Sequence, residues 1–490
     1  MDINFKQLRM LPVMEYNPSS VIFIPDVLES DTRKMISVNE KLRRHAIVFL
    51  KRIKQTCRYL TVHGPSYLVR KDIHFIYRLI YFFIYIYVWI MAYATLRRSY
   101  KYFQENTIRF TTRTDYLEWN TTFASVTVCE IANFDKIWTL SEIYNEGHTG
   151  KVDRFIADIA YFSGTCFSCL SACDIEPICS TKFSATANSF RTSCKDLFLD
   201  CKWNGKPISC CSNFKSIQTE YGKCFSINNK HVKGRNSLYV TANNREQLGT
   251  LEVSVSQDSE MFLHSPEDVP FWNSEYDHRI TVLYGSQATV IFSILDVMNE
   301  PDVYFSALHD RKCRFPDEVP KSYLAYNIYS YSVCVTECRI AAQLRLCNCT
   351  HHLSPIQYSD RYCDLAGLQC LTNNYVTVLR KLRVPVVNDT GLECNCLPSC
   401  NEPEYNMVVR KLIEPQAELQ AGKALFTLSN KPYQRVSRQV ARTTLDMVVA
   451  MGNCFGLYFG GSLLSIAEII YYLCFNDVGI SEKMYLRKIL

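Results

Sequence analysis

Residues 79–96 read LIYFFIYIYVWIMAYATL, eighteen positions without a charge. At ~1.5 Å of helical rise per residue, this run nearly crosses a hydrocarbon core of ~30 Å. Residues 73–75 lengthen it, and Arg78 is close enough to one end to snorkel its guanidinium to the interface. The run is too far into the chain for a signal peptide, and no small-residue cleavage site follows it. The alternative is a buried helix of a soluble domain. A second apolar run occupies 447–475: it is free of charge to Ile466, is interrupted by Glu468, and continues as IIYYLCF. Two crossings leave both termini on one side, with residues 97–443 between them.

Lysines and arginines do not orient the two crossings. Arg70, Lys71 and Arg78 precede or enter the first run, and Arg97, Arg98 and Lys101 follow it. Cysteines decide instead. Of 23 in the 490 residues, 20 lie between Cys129 and Cys400. A large, even-numbered cysteine set belongs to an oxidising compartment. Sequons at Asn120, Asn348 and Asn388 lie in the same region and are candidate glycosylation sites. Residues 97–443 are therefore expected outside the cell and both termini in the cytosol, in a plasma-membrane protein. The net charge of +6 is too small for the lysine- and arginine-dense footprint of a nucleic-acid binder. No G-x-S-x-G, H-E-x-x-H or P-loop occurs, so no catalytic residue is expected.

The outer region alternates short β-branched runs with turns. LEVSV (251–255), RITVL (279–283) and ATVIFSIL (288–295) read as strands. The cysteine-dense stretch 313–400 differs, with a helix expected over 332–346. A β-rich core with a cross-linked, partly helical appendage follows. Cys347-Asn-Cys349 and Cys394-Asn-Cys396, with His351 and His352 nearby, invite comparison with zinc sites. Zinc favours C-x₂₋₄-C pairs, so this C-x-C spacing favours disulfides and no metal. Upstream of the first run, residues 38–59 interleave Leu42, Ile47, Val48, Leu50 and Ile53 with Arg43, Arg44, Lys51, Arg52 and Lys54. Such a helix suits an anionic inner leaflet or packing on other cytosolic residues.

Several motifs, in order, resemble the degenerin/epithelial sodium channel superfamily and within it the insect pickpocket branch. His63-Gly64 is similar to the family's cytosolic His-Gly motif. FASVTVC (123–129) resembles F-P-A-V-T-I-C, with Ala124 in place of proline. Cys210-Cys211-Ser212-Asn213-Phe214 followed by Thr219-Glu220-Tyr221-Gly222-Lys223-Cys224 resembles C-C-x-x-F…T-E-x-G-x-C. FLHSP (262–266), Cys313-Arg314-Phe315, CNCLPSCNEPEY (394–405) and the pore-like GLYFGGSLLSIAEIIY (456–471) complete the series. The resemblance covers about residues 63–472.

It implies a two-span trimeric channel with a large disulfide-rich α+β ectodomain. The parts are a cytosolic segment (1–72), a first span (73–96), an ectodomain (97–443, with a helical thumb at about 313–400), a second span with the pore (444–475) and a cytosolic tail (476–490). It implies nested disulfides Cys313–Cys400, Cys334–Cys396, Cys338–Cys394, Cys347–Cys370 and Cys349–Cys363. It further implies Cys129–Cys224, and Cys201 joined to Cys210 or Cys211. Cys166, Cys169, Cys173, Cys179, Cys194 and the spare of Cys210/Cys211 remain unassigned. The implied function is a pore-forming subunit of an amiloride-sensitive, sodium-selective, voltage-independent cation channel, with no cofactor beyond permeant Na+. It would be sensory (mechanical, osmotic or chemosensory) or serve epithelial sodium transport, as a homo- or heterotrimer with related subunits in the bilayer. Alternatives are a non-conducting accessory subunit and a two-pass receptor or adhesion ectodomain.

Gly452, Gly456 and Gly460 recur every four residues and would share one face of a continuous helix. Glycines at that spacing permit close helix approach. Gly460-Gly461-Ser462 aligns with the family's G-x-S selectivity filter. If the chain leaves helical geometry there, bare carbonyls can replace part of an ion's hydration shell. Glu468, a carboxylate within an apolar run, is a second pore-lining candidate. On a continuous helix it sits about 80° round from residue 460. By the resemblance, His63 and Gly64 bear on gating. Val449 falls at the position where the family carries a small residue, and its bulk is expected to bias the gate open.

Overall fold

The computed structural model describes residues 53–54, 56–58, 62–70, 72–105, 107–114, 120–144, 150–170, 187, 190–232, 238–241, 249–383 and 390–474. Of the basic stretch 38–59 only 53–54 and 56–58 fall among them, and these are helical. Cys173, Cys179, Asn388 and the tail 476–490 lie outside the described residues. The chain divides into two compact units, residues 1–102 with 444–490, and residues 103–443.

In the first unit the opening apolar run is one helix, Phe75–Glu105, of 31 residues. Its most apolar eighteen-residue window has a mean hydropathy of 1.9 and is almost wholly exposed. Apolar residues all round a helix, most of them uncovered, suit a lipid environment. The second apolar run departs from the expected single span. It forms two helices, Thr444–Phe459 and Leu463–Cys474, whose axes bend by 71° across residues 460–462. This is a broken span or a re-entrant loop. The cause is local: Gly460 takes φ 62°, a left-handed conformation that ends the first helix.

The second unit is built on two larger sheets. The five-stranded sheet has the order Arg279–Val282, Ser259–His264, Ser125–Glu130, Gly222–Ile227, Lys215–Thr219. Ser125–Glu130 is buried along its whole length. Its hydroxyls are satisfied by neighbours: Ser125 Oγ donates to the Ile227 carbonyl at 3.0 Å and Thr127 Oγ1 to Ser226 Oγ at 2.7 Å. The eight-stranded sheet centres on Gln287–Asn299, thirteen residues long. One edge of that strand pairs antiparallel with Glu404–Ile413. The other edge pairs parallel first with Gly422–Leu428 and then with Arg435–Val440. Alternate side chains from Ala288 to Ile294 are buried, so one face looks into the core, as period-two patterning requires.

The expected helix over 332–346 runs Tyr331–Cys347. Ser330 caps it by accepting from the Val333 N–H, and Asn348 ends it in the left-handed region at φ 59°. Cys334 and Cys338, one turn apart, bond to Cys396 and Cys394. Four residues of helix rise ~6 Å and two residues of extended chain span ~6.6 Å, so the two spacings match. Cys313–Cys400, Cys347–Cys370 and Cys349–Cys363 complete the nested set. Elsewhere Cys129 joins Cys224, Cys201 joins Cys210, Cys194 joins Cys211 and Cys166 joins Cys169. The C-x-C sulfurs are thus spent in disulfides, which removes the zinc alternative for them. His351 and His352 are buried against Phe162.

A buried ion pair fixes this helix to the sheets. The fully buried Arg339 guanidinium bonds the Glu220 carboxylate, the Asn273 side chain and the Leu379 carbonyl, and lies 5.2 Å above the Trp272 ring. Four segments distant in sequence meet at one charge. Each donor it satisfies offsets part of the cost of burying that charge.

Candidate pore segment

The site is built around a helix end. Phe459 closes Thr444–Phe459 and is 5% exposed, enclosed by Trp89 at 4.7 Å, Phe455 at 5.8 Å and Tyr85 at 6.4 Å between ring centroids. Val62, Val88, Ala92, Cys454 and Tyr458 belong to the same cluster. The Thr95 and Tyr458 hydroxyls add a polar link of 2.9 Å between the two apolar segments.

The last carbonyls of a helix lack intrahelical partners. Here Phe459 O accepts the backbone N–H of His63 at 2.9 Å. His63 therefore reaches the break through its main chain, while its imidazole lies against Gly460. A Cβ added to Gly460 would collide with that ring, and its φ of 62° disfavours any L side chain. Gly64 is buried behind it, and Pro65 opens the short helix Pro65–Val69. The structure thus joins two sequence features about four hundred residues apart, His63-Gly64 and Gly460-Gly461-Ser462.

On the far side of the break the backbone is capped. Ser462 Oγ accepts the Ser465 N–H at 3.3 Å, and Ser465 Oγ accepts the Ser462 N–H at 3.2 Å. This is a reciprocal box with serine at both positions. Ser465 is buried, whereas Ser462 is exposed. Between the two caps, no donor among the described residues reaches the carbonyls of Gly460 and Gly461. Two unpaired carbonyls beside an exposed hydroxyl form an oxygen-lined break in an apolar segment. Such backbone persists in a membrane only against protein or a wet cavity, and its oxygens suit a cation that has shed part of its water.

The continuous-helix placement of the glycines fails. Gly452 and Gly456 lie on Thr444–Phe459, exposed and half-buried respectively, but Gly460 has already left the helix. The 80° offset of Glu468 fails for the same reason, because that residue sits half-buried on the next helix, bent away by 71°. Val449 is exposed on the first helix. Asn120 and Asn348 are both exposed, Asn348 between two disulfide-bonded cysteines. Two residues were not singled out in the sequence. Phe459 carries no local signal, since its role depends on rings from the other apolar segment. Ser465 does carry one, as the second serine of an S-x-x-S cap opening an apolar run.

Comparison with known proteins bears on the family of the chain. The profile of the amiloride-sensitive sodium channel family matches residues 56–472. A sodium channel protein, Nach, of Drosophila melanogaster is 22% identical over 85% of this chain and 85% of its own. Pickpocket protein 11 of the same organism is 23% identical over 56% of this chain and 53% of its own. The epithelial sodium channel subunit beta of Canis lupus familiaris is 23% identical over 56% of this chain and 46% of its own.

Proposed function

Because the chain belongs to the amiloride-sensitive sodium channel family, in its pickpocket branch, we propose that it is a pore-forming subunit of a sodium-selective channel in the plasma membrane. Membership accounts for an ion channel with a disulfide-rich, β-rich ectodomain. The finer reading rests on one observation: the carbonyls of Gly460 and Gly461, left without donors among the described residues, beside Ser462 at the break in the second apolar segment. Copies of this break around an axis would give a ring of carbonyl and hydroxyl oxygens, with Glu468 raising the local cation concentration. Three subunits, alike or mixed, are the proposed assembly. That a relative is itself named as a subunit supports an oligomer. Amiloride block, voltage independence, and a sensory or sodium-transport role belong to the same proposal.

The test is expression of the chain alone in oocytes, with surface protein and amiloride-sensitive sodium current measured together. Wild type and Ser462 and Glu468 substitutions are compared. A current whose ion selectivity changes with Ser462 supports a pore-forming homomer. Surface protein without current, restored by a related chain, makes this an accessory subunit. A current indifferent to Ser462 removes the break from the conduction path.

A further inference from the structure

We propose that the outer unit binds a small organic amine, held as its ammonium ion, in the cavity between the first turn of the helix Tyr331–Cys347 and the start of the strand Glu404–Ile413. The cavity is about 670 Å³, inside the range for small-molecule sites, ~300–1,000 Å³. Three segments enclose most of it, 262–278, 331–332 and 398–406. This inference goes beyond conduction and is read by binding alone.

The lining carries an excess of negative charge. Asp268, Glu275, Glu402 and Glu404 all contribute, and none is paired with a lysine or arginine among the described residues. The one arginine in the lining, Arg438, is engaged elsewhere: its Nη1 donates to the Cys400 carbonyl at 3.2 Å and its guanidinium covers the Phe110 ring. The Lys230 ammonium is taken by the buried Glu267. Asp268 accepts the Ser332 hydroxyl at 2.7 Å, and Glu402 is met by the Ser399 N–H at 3.4 Å. Tyr405 adds a polar group of its own. Its side chain is 8% exposed, and its hydroxyl opens on the cavity with no hydrogen-bond partner among the described residues. Burial, then the carboxylates of Asp268, Asp296, Glu267 and Glu402, raises this phenol well above its ordinary range, so it stays a neutral hydroxyl with lone pairs to offer. An ammonium has three N–H donors. Asp268, Glu402 and Tyr405 supply three acceptors, and the positive charge relieves the repulsion between the two carboxyls.

The walls favour an organic cation over a metal ion. No group of three or more His, Cys, Asp or Glu side chains among the described residues is close enough to hold a metal. Phe271 and Tyr331, half-buried and edge-on to each other at 6.5 Å, join the half-buried Leu382 to give the cavity an apolar side. Aromatic faces also attract an ammonium. Burial, and next the Asp268 charge, pushes the Glu402 carboxyl up to about 8. Below that pH Glu402 holds a proton, so binding releases a proton from it to solvent and tightens as pH rises towards 8. The neighbouring histidines do not mask this. Burial pushes down both His264, in the same wall, and His231, which faces Asp268, so they stay neutral, His264 titrating at about 4. His278 is tied by Nε2 to the Tyr405 carbonyl at 3.0 Å. Tyr331, raised by burial and then by Glu402, stays neutral as well.

The experiment is equilibrium binding of radiolabelled phenethylamine to the purified full chain in detergent at pH 6.5 and pH 8.5, with phenylethanol and calcium as competitors. An alkylammonium keeps its proton over this range, as lysine does with a pKa of ~10.4. The site predicts saturable binding, about tenfold tighter at pH 8.5, that neither competitor displaces at equal concentration. Glu402→Gln is expected to bind about tenfold more weakly at pH 8.5 and to lose most of the pH dependence. Tyr405→Phe, which removes only an unpartnered hydroxyl, should bind several-fold more weakly, and Glu418→Gln, an exposed carboxylate elsewhere, should bind as wild type. Three results would overturn the proposal: no saturable binding, displacement by phenylethanol as readily as by phenethylamine, or a Glu402→Gln protein that binds as wild type at both pH values. Displacement by calcium as readily as by the amine would also overturn it, by reducing the cavity to a metal site. Binding lost in Glu468→Gln and kept in Glu402→Gln would do the same, by placing the amine in the pore segment.

Discussion

The helix Tyr331–Cys347 and the break at 460–462 hold their backbones by opposite means. The helix is nailed at both ends and along its side. Its ties are the Ser330 cap, disulfides at Cys334, Cys338 and Cys347, and a buried Arg339–Glu220 pair. The break is held by one hydrogen bond from His63, a pair of serine caps and the lack of a side chain at Gly460. Covalent ties and paired charges suit a part whose shape must not change. A few weak contacts around a glycine suit a part with more than one state. Segments that switch are drawn from the weakly held end of a structure.

The comparison breaks most visibly at Gly460. Gly460→Ala puts a Cβ into the His63 ring on a left-handed backbone. Strain of ~1–3 kcal/mol at such a site is enough for a loss of about tenfold or more in sodium current per surface channel. Surface biotinylation should show unchanged delivery. If the current persists, the His63–Gly460 contact is incidental.

Arg339 is next, and its effect should fall on folding rather than on current per channel. Arg339→Ala leaves the Glu220 carboxylate buried and unpaired, which costs ~3–5 kcal/mol. Thermal melts should show a large drop in Tm, and surface protein should fall. Arg339→Met together with Glu220→Leu should recover much of the loss, because paired apolar replacement removes the orphan charge.

A smaller effect separates the scaffold's own pH dependence from that of the channel. Burial, with Asp268 and Glu267 nearby, pushes the Glu402 carboxyl up to about 8. Folding then favours its protonated form. Stability from this group is present in full below the ordinary carboxylate range and is lost as pH rises towards 8. Glu402→Gln should therefore match wild type at pH 4 and melt higher than wild type at pH 8.5. A constant difference across that range would assign the effect to packing. The smallest effect is expected at Val449, exposed on Thr444–Phe459. Val449→Gly should reduce resting current, and an unchanged current would remove that residue from gating.

Much of this contrast is legible in the sequence. Ser330 and Asn348 bracket the helix, and the alternation from Ala288 to Ile294 marks a half-buried strand. Gly460-Gly461-Ser462 announces a departure from helix within an apolar run. The bend of 71° is not legible, because only the three-dimensional path shows that the second apolar run is two helices. Adjacent Cys210 and Cys211 offer equal spacing to any partner, so only geometry assigns Cys201 to the first and Cys194 to the second. The strand Gln287–Asn299 outruns its apolar signal because it changes parallel partner midway.

The central claim is that the break at 460–462 lines the conduction path. Its most direct test is Ser462→Cys in oocytes, exposed during recording to a cationic, water-soluble methanethiosulfonate reagent. Wild type, with its native cysteines, is the control. Progressive block of the sodium current in Ser462→Cys, and none in wild type, is the predicted result. Labelling of the introduced thiol without any change in current would contradict the account.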